Sequence, residues 1–341
     1  MDSATQFLLG ASVSGAVLGG KLGARALLIG GLVATLPDLD SFLPMGNDID
    51  DMTYHRGFSH SVLVQTAATP AIAFAITRIV RGARESWKPV MLTVWLCLVT
   101  HSILDSLTTY GTQILWPLDV GPPVAFPSVF IIDPLYTSLL LAGVLALFFL
   151  RGRIERGVRA NRLLLLVSVL YLGVGMSGHL VVQARAEAHP AFRGKSVHVQ
   201  PTPFNILFWQ VLAVDERHYL TGLTSVLPTC SIAQIASHER LAKAPLGLDP
   251  SRSARRLEWF TDGFYSYRNN GDTISITDLR IGYHPFFVFS FDIARRQANG
   301  YVQMRPTQVG IGPTGPERVK GLLALASRSL ERCGVWTDLR L

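Results

Sequence analysis

The chain has 341 residues, 49% of them hydrophobic and 16% charged, with a mean hydropathy of +0.31 and a formal net charge of +7. Charged residues make up about 25% of an ordinary soluble domain, so the balance argues against a wholly soluble chain. The positive charge would suit nucleic acid, but much of it sits in two short basic connections where membrane topology explains it, so no nucleic-acid partner is expected.

Residues 1–183 hold nearly all the long apolar runs, whereas 184–341 carry charges, turns and short alternating segments. The expected fold class is therefore a polytopic α-helical membrane domain, 1–183, followed by a smaller soluble α+β domain, 184–341. Phe7–Gly20 and Ala26–Leu36 are short for a span of about 20 residues and are separated by the Lys21–Arg25 turn. A tilted or re-entrant pair is as compatible with them as two full crossings. Residues 1–20 carry no basic stretch before the apolar run, and a cleaved signal peptide is not expected.

Ser61–Val80, Val90–Tyr110, Val129–Leu150 and Leu163–Val182 are each long enough to span a bilayer. The connections between them carry Arg78, Arg81, Arg84 and Lys88, and then Arg151, Arg153, Arg156, Arg159 and Arg162. Lys and Arg mark the cytoplasmic side, so both connections are placed inside and the helix over 90–110 runs outward. The last span also runs outward and delivers the C-terminal domain to the extracytoplasmic face. In that domain Val197–Gln200, Leu207–Asp215, His218–Thr224, Thr273–Ile281 and Phe286–Phe291 read as strands. Ser231–Ala242, Ser253–Phe260 and Glu317–Arg332 read as helices. Cys97 falls in a span, and Cys230 and Cys333 are either a disulfide or two independent thiols.

Three segments in the first third carry metal-type side chains at the ends of, or inside, apolar runs: PDLD at 37–40, HRGFSH at 55–60 and HSILD at 101–105. The six residues are Asp38, Asp40, His55, His60, His101 and Asp105. Ionisable groups at bilayer depth are costly unless they pair, face a cavity or hold an ion. His101 and Asp105 are four apart on a helical pattern, which puts both on one face within reach of one ion. Pro37 ends the preceding helical run, so Asp38 and Asp40 lie in a turn or extended stretch, where two close acids repel unless a cation intervenes. The two imidazoles of HRGFSH flank Ser59, a possible cap for the next helix.

Three carboxylates and three imidazoles supply donors for two divalent ions, with zinc, manganese and iron all suited to them. A two-metal centre with open positions activates water and clamps an oxyanion, which suits hydrolysis of a phosphoester or an amide. Arg56 beside the donors favours bidentate contact with a phosphate. Tyr54, Ser59, Thr108, Thr109 and Tyr110 are further hydroxyls able to supply hydrogen bonds to a substrate. His179, near the outer end of the last span, is expected to face lipid headgroups. His198, His218, His238 and His284 are scattered without metal spacing.

LPDLD (36–40), HRGFSHS (55–61), HSILDSLTTYGTQILWP (101–117), FIIDPLYT (130–137) and PTPFNILFW (201–209) together resemble the inner-membrane-associated metal-dependent hydrolases described as LexA-binding, the YdjM-like family. The resemblance implies a bacterial inner-membrane location, a metal-dependent hydrolase and a LexA partner, which would need a cytoplasmic surface. It also adds Asp133 of FIIDP, as a further ligand, a supporting acid or an N-cap before Pro134. A looser likeness, by analogy alone, is to helical zinc-dependent phospholipases C.

On this reading Arg56 steadies an anionic substrate, and Asp40 or Asp133 is the candidate general base. A site at the membrane interface favours a lipid-linked phosphoester such as a phospholipid, at the outer face. The rival readings are a non-catalytic metal-stabilised scaffold that binds an unidentified protein partner and, last, a metal or proton transporter.

Overall fold

A computed structural model of the chain describes residues 1–227, 231–245, 248–298 and 300–310. The described chain forms two compact units. The first comprises Met1–Leu43, His55–Phe126 and Ile131–Gly175; the second comprises Pro44–Tyr54, Pro127–Phe130 and the chain from Met176 onward. An N-terminal helical region is followed by antiparallel sheets, which is the expected fold class. Ala184, read as a boundary from composition, lies inside a helix that runs Ile154–Ala188.

The first unit is built from helices α1 (Ser3–Leu22) and α2 (Arg25–Thr35), α4 (Val62–Ile79), α5 (Trp87–Ser106), α6 (Pro134–Phe149) and the first part of α7 (Ile154–Ala188), with α3 (Asp48–Tyr54) belonging to the second unit. Asp2 caps α1 by accepting from the Thr5 N–H, and Gly23, at φ +59°, ends the α1 segment in a conformation that L side chains rarely adopt. Among the described residues, three helical stretches are long and apolar enough to cross a membrane: Val62–Ile79, Arg84–Ser106 and Arg151–Ala188.

Two expectations are corrected here. The apolar run Val129–Leu150 yields a helix of only 16 residues, because Asp133 accepts from the Tyr136 N–H and Pro134 fixes the first turn there. That helix is about 24 Å long, short of a hydrocarbon core of about 30 Å. The basic stretch Arg151–Arg162 is mostly not a loop, since α7 starts at Ile154. Asn161 donates to the Ser12 carbonyl at 2.8 Å, and Arg162 donates to that of Ala16.

Helices α1 and α2 approach so closely that glycine is required between them. A Cβ on Gly30 would lie 2.0 Å from the Gly10 carbonyl oxygen and 2.3 Å from Ser14 Cβ, and one on Gly10 would lie 2.3 Å from Ala34 Cβ. Small residues at such contacts let membrane helices gain backbone-to-backbone packing that larger side chains prevent. Cys97 of α5 donates weakly to the same Gly10 carbonyl at 3.5 Å, which ties α5 to this pair.

In the second unit β1 (Ser196–Pro201), β2 (Phe208–Val214), β3 (His218–Ser225) and β4 (Ala233–Glu239) form one antiparallel sheet in that order. Every residue of β2 is buried, as an interior strand covered on both faces requires, and Trp209, Val211 and Ala213 pack with Val182, Ala186, Phe192 and Val199. Helix α8 (Arg252–Phe260) follows, as expected. It is capped by Ser251 and precedes β5 (Tyr265–Asn269), β6 (Thr273–Asp278), a two-residue pair β7 (Gly282–Tyr283) and β8 (Phe286–Phe287), β9 (Ser290–Gln297) and β10 (Gly300–Gln308). The second large sheet has the order β10-β9-β6-β5.

The helix expected over Ser231–Ala242 is instead strand β4. Ala233, Gln234, Ala236 and Glu239 favour a helix, but pairing with β3, from His218↔Glu239 to Leu223↔Ala233, overrides that preference. The helix read at Glu317–Arg332, and both Cys230 and Cys333, lie outside the described residues.

Gly30→Val should force α1 and α2 apart, destabilising the protein by at least the roughly 1–3 kcal/mol typical of overpacking. The thermal unfolding midpoint in detergent should fall, and an unchanged midpoint would contradict the close approach.

Candidate metal centre

Pro37 follows the last turn of α2 and opens a 3-10 turn over Pro37–Phe42, and this turn carries Asp38 and Asp40. His55 and Arg56 follow α3, with Arg56 at φ +60°, and a second 3-10 turn, Phe58–His60, presents His60. Ser61, not Ser59, caps α4: its side chain accepts from the Val64 N–H. His101 and Asp105 share a face of α5, and both side chains are fully buried. Two turns and one helical face therefore converge, and each supplies donors spaced as its local geometry dictates.

Asp38, His60, His101 and Asp105 each offer one ligand atom, and these atoms all lie within 4.8 Å of one another. His60 Nε2 and His101 Nε2 are 3.1 Å apart. Asp38 Oδ1 is 3.5 Å from His60 Nε2 and 3.4 Å from His101 Nε2, and Asp105 Oδ2 is 3.3 Å and 3.5 Å from the same two atoms. Four donors arranged tetrahedrally about one ion at bond lengths of about 2.0–2.1 Å are separated by about 3.3–3.4 Å. The five distances fall around that value, so the four donor atoms could hold a metal ion. Sequence reasoning allotted six donors to two ions; the described residues bring four together as one set.

Asp40 and His55 stand beside the set and pair with each other, His55 Nδ1 lying 2.7 Å from Asp40 Oδ1. Asp40 Oδ2 accepts from the Arg56 backbone N–H at 3.1 Å and from the Ser59 hydroxyl, and Ser59 Oγ is 2.9 Å from His60 Nδ1. Burial would raise the pKa values of Asp38 and Asp40. The imidazoles of His101 and His60 beside Asp38, and the His55 ring, the nearby His60 ring and the Ser59 hydroxyl beside Asp40, outweigh it and hold both carboxyls below the usual range.

Asp105 is oriented from another helix. Gln6 Nε2 of α1 donates to Asp105 Oδ1 at 2.9 Å, and the Met1 nitrogen contacts the same oxygen. Asp105 Oδ2 is 3.1 Å from Arg56 Nε without hydrogen-bond geometry, which leaves its lone pairs directed at the donor set. Arg56 itself is buried, donates to Thr108 Oγ1 at 3.2 Å and lies 4.8 Å over the Tyr110 ring. It balances part of the charge of three clustered carboxylates. In the sequence Gln6 carries one signal, an amide in a helix whose other polar side chains are hydroxyls and Lys21.

Other candidates lie apart from the donor set. Asp133 is buried as the N-cap of α6, and its Oδ2 accepts from the Tyr171 hydroxyl at 2.7 Å. Tyr54 belongs to the second unit, where the Arg256 guanidinium lies 3.6 Å over its ring. His179 does not point to headgroups: it is buried in the second unit, hydrogen-bonded to the Pro127 carbonyl at 2.8 Å and edge-on to Trp209. His238 and His284, distant in sequence, stack at 3.7 Å with Tyr219 hydrogen-bonded to His284. Among the described residues, no donor set of the kind in the first unit occurs there.

A family model described as YdjM inner membrane protein matches residues 1–181, more than half of the chain and all of the donor set. The Escherichia coli (strain K12) inner membrane protein YbcI is 36% identical over 104 residues, 29% of this chain and 58% of that protein. A Bacillus subtilis (strain 168) protein, YfhP, described as uncharacterized, is 30% identical over 127 residues, 34% of this chain and 37% of that protein. The chain thus spans less than two thirds of either relative. No solved structure matches.

Arg56→Gln should leave the clustered acids undercompensated, at a stability cost of about 3–5 kcal/mol in metal-free protein, the scale for breaking a buried pair. Added zinc should recover part of the lost unfolding temperature, because it binds the folded form. Equal metal-free midpoints for variant and wild type would contradict the charge-balancing role.

Proposed function

The chain belongs to the YdjM inner membrane protein family, and from that premise we propose that it is a metal-dependent hydrolase acting on a lipid-linked phosphoester at the outer face of the membrane. The observation that carries this reading is the buried set of Asp38, His60, His101 and Asp105, with donor separations suited to one divalent ion. When bound there, such an ion would supply Lewis acidity toward a phosphoryl oxygen and a lowered pKa for water.

The chain's own residues divide the remaining work. His60 and His101 hold the site in place from α5 and the turn before α4, and Gln6 and Arg56 fix Asp105. Arg56 keeps positive potential beside the donors, which favours an anionic over a neutral substrate. Asp40 already accepts from His55, the Arg56 N–H and Ser59, so it is better suited to orienting its neighbours than to taking a further proton. Asp38, whose side chain is 21% exposed while the other three donors are fully buried, marks the open side of the set. Leu39, Phe42 and Phe58, interleaved with the ligands in sequence, are exposed apolar side chains, Phe42 by 80%. They suit a mouth that meets acyl chains. The outward orientation rests on the Arg-rich ends of the helices, which favour the cytoplasm.

One observation favours a second reading. Four protein donors within 4.8 Å of one another are enough for a closed tetrahedral site, and closed sites of that kind are generally structural, whereas catalytic zinc keeps a position for water or substrate. On that reading the ion pins α5 to the two turns, and the protein is a membrane scaffold or regulator for a protein partner.

Turnover on bis(p-nitrophenyl) phosphate and on phosphatidic acid vesicles separates the two. The hydrolase reading expects phosphate-ester cleavage by zinc- or manganese-loaded wild type and only background rates for His101→Ala, Asp105→Ala. A metal-loaded wild type inert toward both would leave the scaffold. A reporter fused at the C-terminus should be active only when placed outside the cytoplasm, and cytoplasmic activity would invert the orientation.

A further inference from the structure

Ser59 sits between a donor of the metal set and an acid outside it. Its Oγ is 2.9 Å from His60 Nδ1 and in hydrogen-bond contact with Asp40 Oδ2, while the direct separation of His60 Nδ1 from Asp40 Oδ2 is 3.6 Å, too long for a good bond. The direction of each proton follows from what each atom is able to do. An ionised carboxylate only accepts, so the Ser59 hydroxyl proton points at Asp40. The Ser59 oxygen is then left as the acceptor for His60, and Nδ1 must carry the ring proton. That assignment leaves the lone pair of His60 on Nε2, the atom that faces Asp38, His101 and Asp105.

We infer that Ser59 is a positioning residue that locks His60 in the Nδ1–H form and, with Asp40 as its anchor, presents His60 Nε2 to the ion. The inference rests on the donor-set reading and goes beyond it by assigning Ser59 and Asp40 a joint task that neither performs as a ligand. Asp40 is itself rigid enough to serve as an anchor, since the His55 ring and the Arg56 backbone N–H hold its two oxygens. Ser59 is held in turn through its own backbone, because Gln65 Nε2 donates to the Ser59 carbonyl at 2.9 Å and also to Ser102 Oγ at 2.7 Å on α5. Partners that orient a ligating histidine through its second nitrogen commonly change metal affinity by about 10–100-fold.

The test is zinc affinity of the full chain in detergent, by chelator competition, for wild type, Ser59→Ala, Ser59→Thr, Asp40→Asn and the Ser59→Ala, Asp40→Asn double variant. Ser59→Ala should weaken zinc binding by about 10–100-fold. Ser59→Thr, which keeps the hydroxyl, should remain close to wild type. Asp40→Asn can turn its amide N–H toward Ser59 and redirect the hydroxyl proton at His60, so it should weaken binding as well.

Because the two residues act as one relay, the double variant should bind no more weakly than the worse single variant. Zinc affinity in Ser59→Ala equal to that of a zinc-binding wild type would overturn the relay and leave the donor set standing. Losses that multiply in the double variant would overturn the joint role. A wild type with no zinc affinity would instead remove the donor set itself and the relay with it. Unfolding midpoints of the metal-free variants separate a loss of affinity from a loss of fold, and Ser59→Thr keeps the comparison open if Ser59→Ala does not fold.

Discussion

Burying two carboxylates and two imidazoles beside a third, half-buried carboxylate is the constraint on which the rest of the first unit depends. Uncompensated, such charges would be costly enough to unfold a helical membrane domain or to force the groups to neutralise. The chain answers with local neutralisation: Arg56 against Asp105, His55 and Ser59 against Asp40, and paired imidazoles between Asp38 and Asp105. What this leaves is a set of four donor atoms within 4.8 Å of one another, two of them carboxylate oxygens. A metal ion held there would offset the carboxylate charge.

The same constraint explains why glycines outside the site matter to it. Gly10 and Gly30 let α1 and α2 approach at backbone distance, and Cys97 of α5 meets the Gly10 carbonyl. That packing brings Gln6, one turn before Gly10, to Asp105 and to the His101 carbonyl. The amide fixes Oδ1 of Asp105 and so turns Oδ2 toward the two histidines. Close helix packing is thereby converted, one turn away, into the orientation of a buried carboxylate.

The ligand strings were legible in the sequence because each motif breaks a strong pattern. HSILD puts two polar groups four apart on an apolar helix, PDLD follows a helix-ending proline, and HRGFSH precedes a span. The partition of those six residues was not legible, since Asp38 and Asp40 differ by two positions, and only the 3-10 turn sends one into the donor set and the other to His55. Gln6 and Ser59 act over tertiary contacts that no spacing reveals. In the second unit β2 was readable from its continuous apolar run, whereas β4 was not. Its residues are mostly exposed and helix-favouring, and it is a strand because β3 offers it an edge. The apolar run before α6 was misleading for a simpler reason, because hydrophobicity continues through residues 129–132 but the Asp133-Pro134 cap starts the helix later.

The most direct test of the account is the metal content of purified wild-type protein, by elemental analysis beside His101→Ala, Asp105→Ala. About one divalent ion per chain in the wild type, absent from the variant, is the result a four-donor tetrahedral site predicts. Wild-type protein that carries no stoichiometric metal, and gains none on exposure to zinc, manganese or iron, would contradict it.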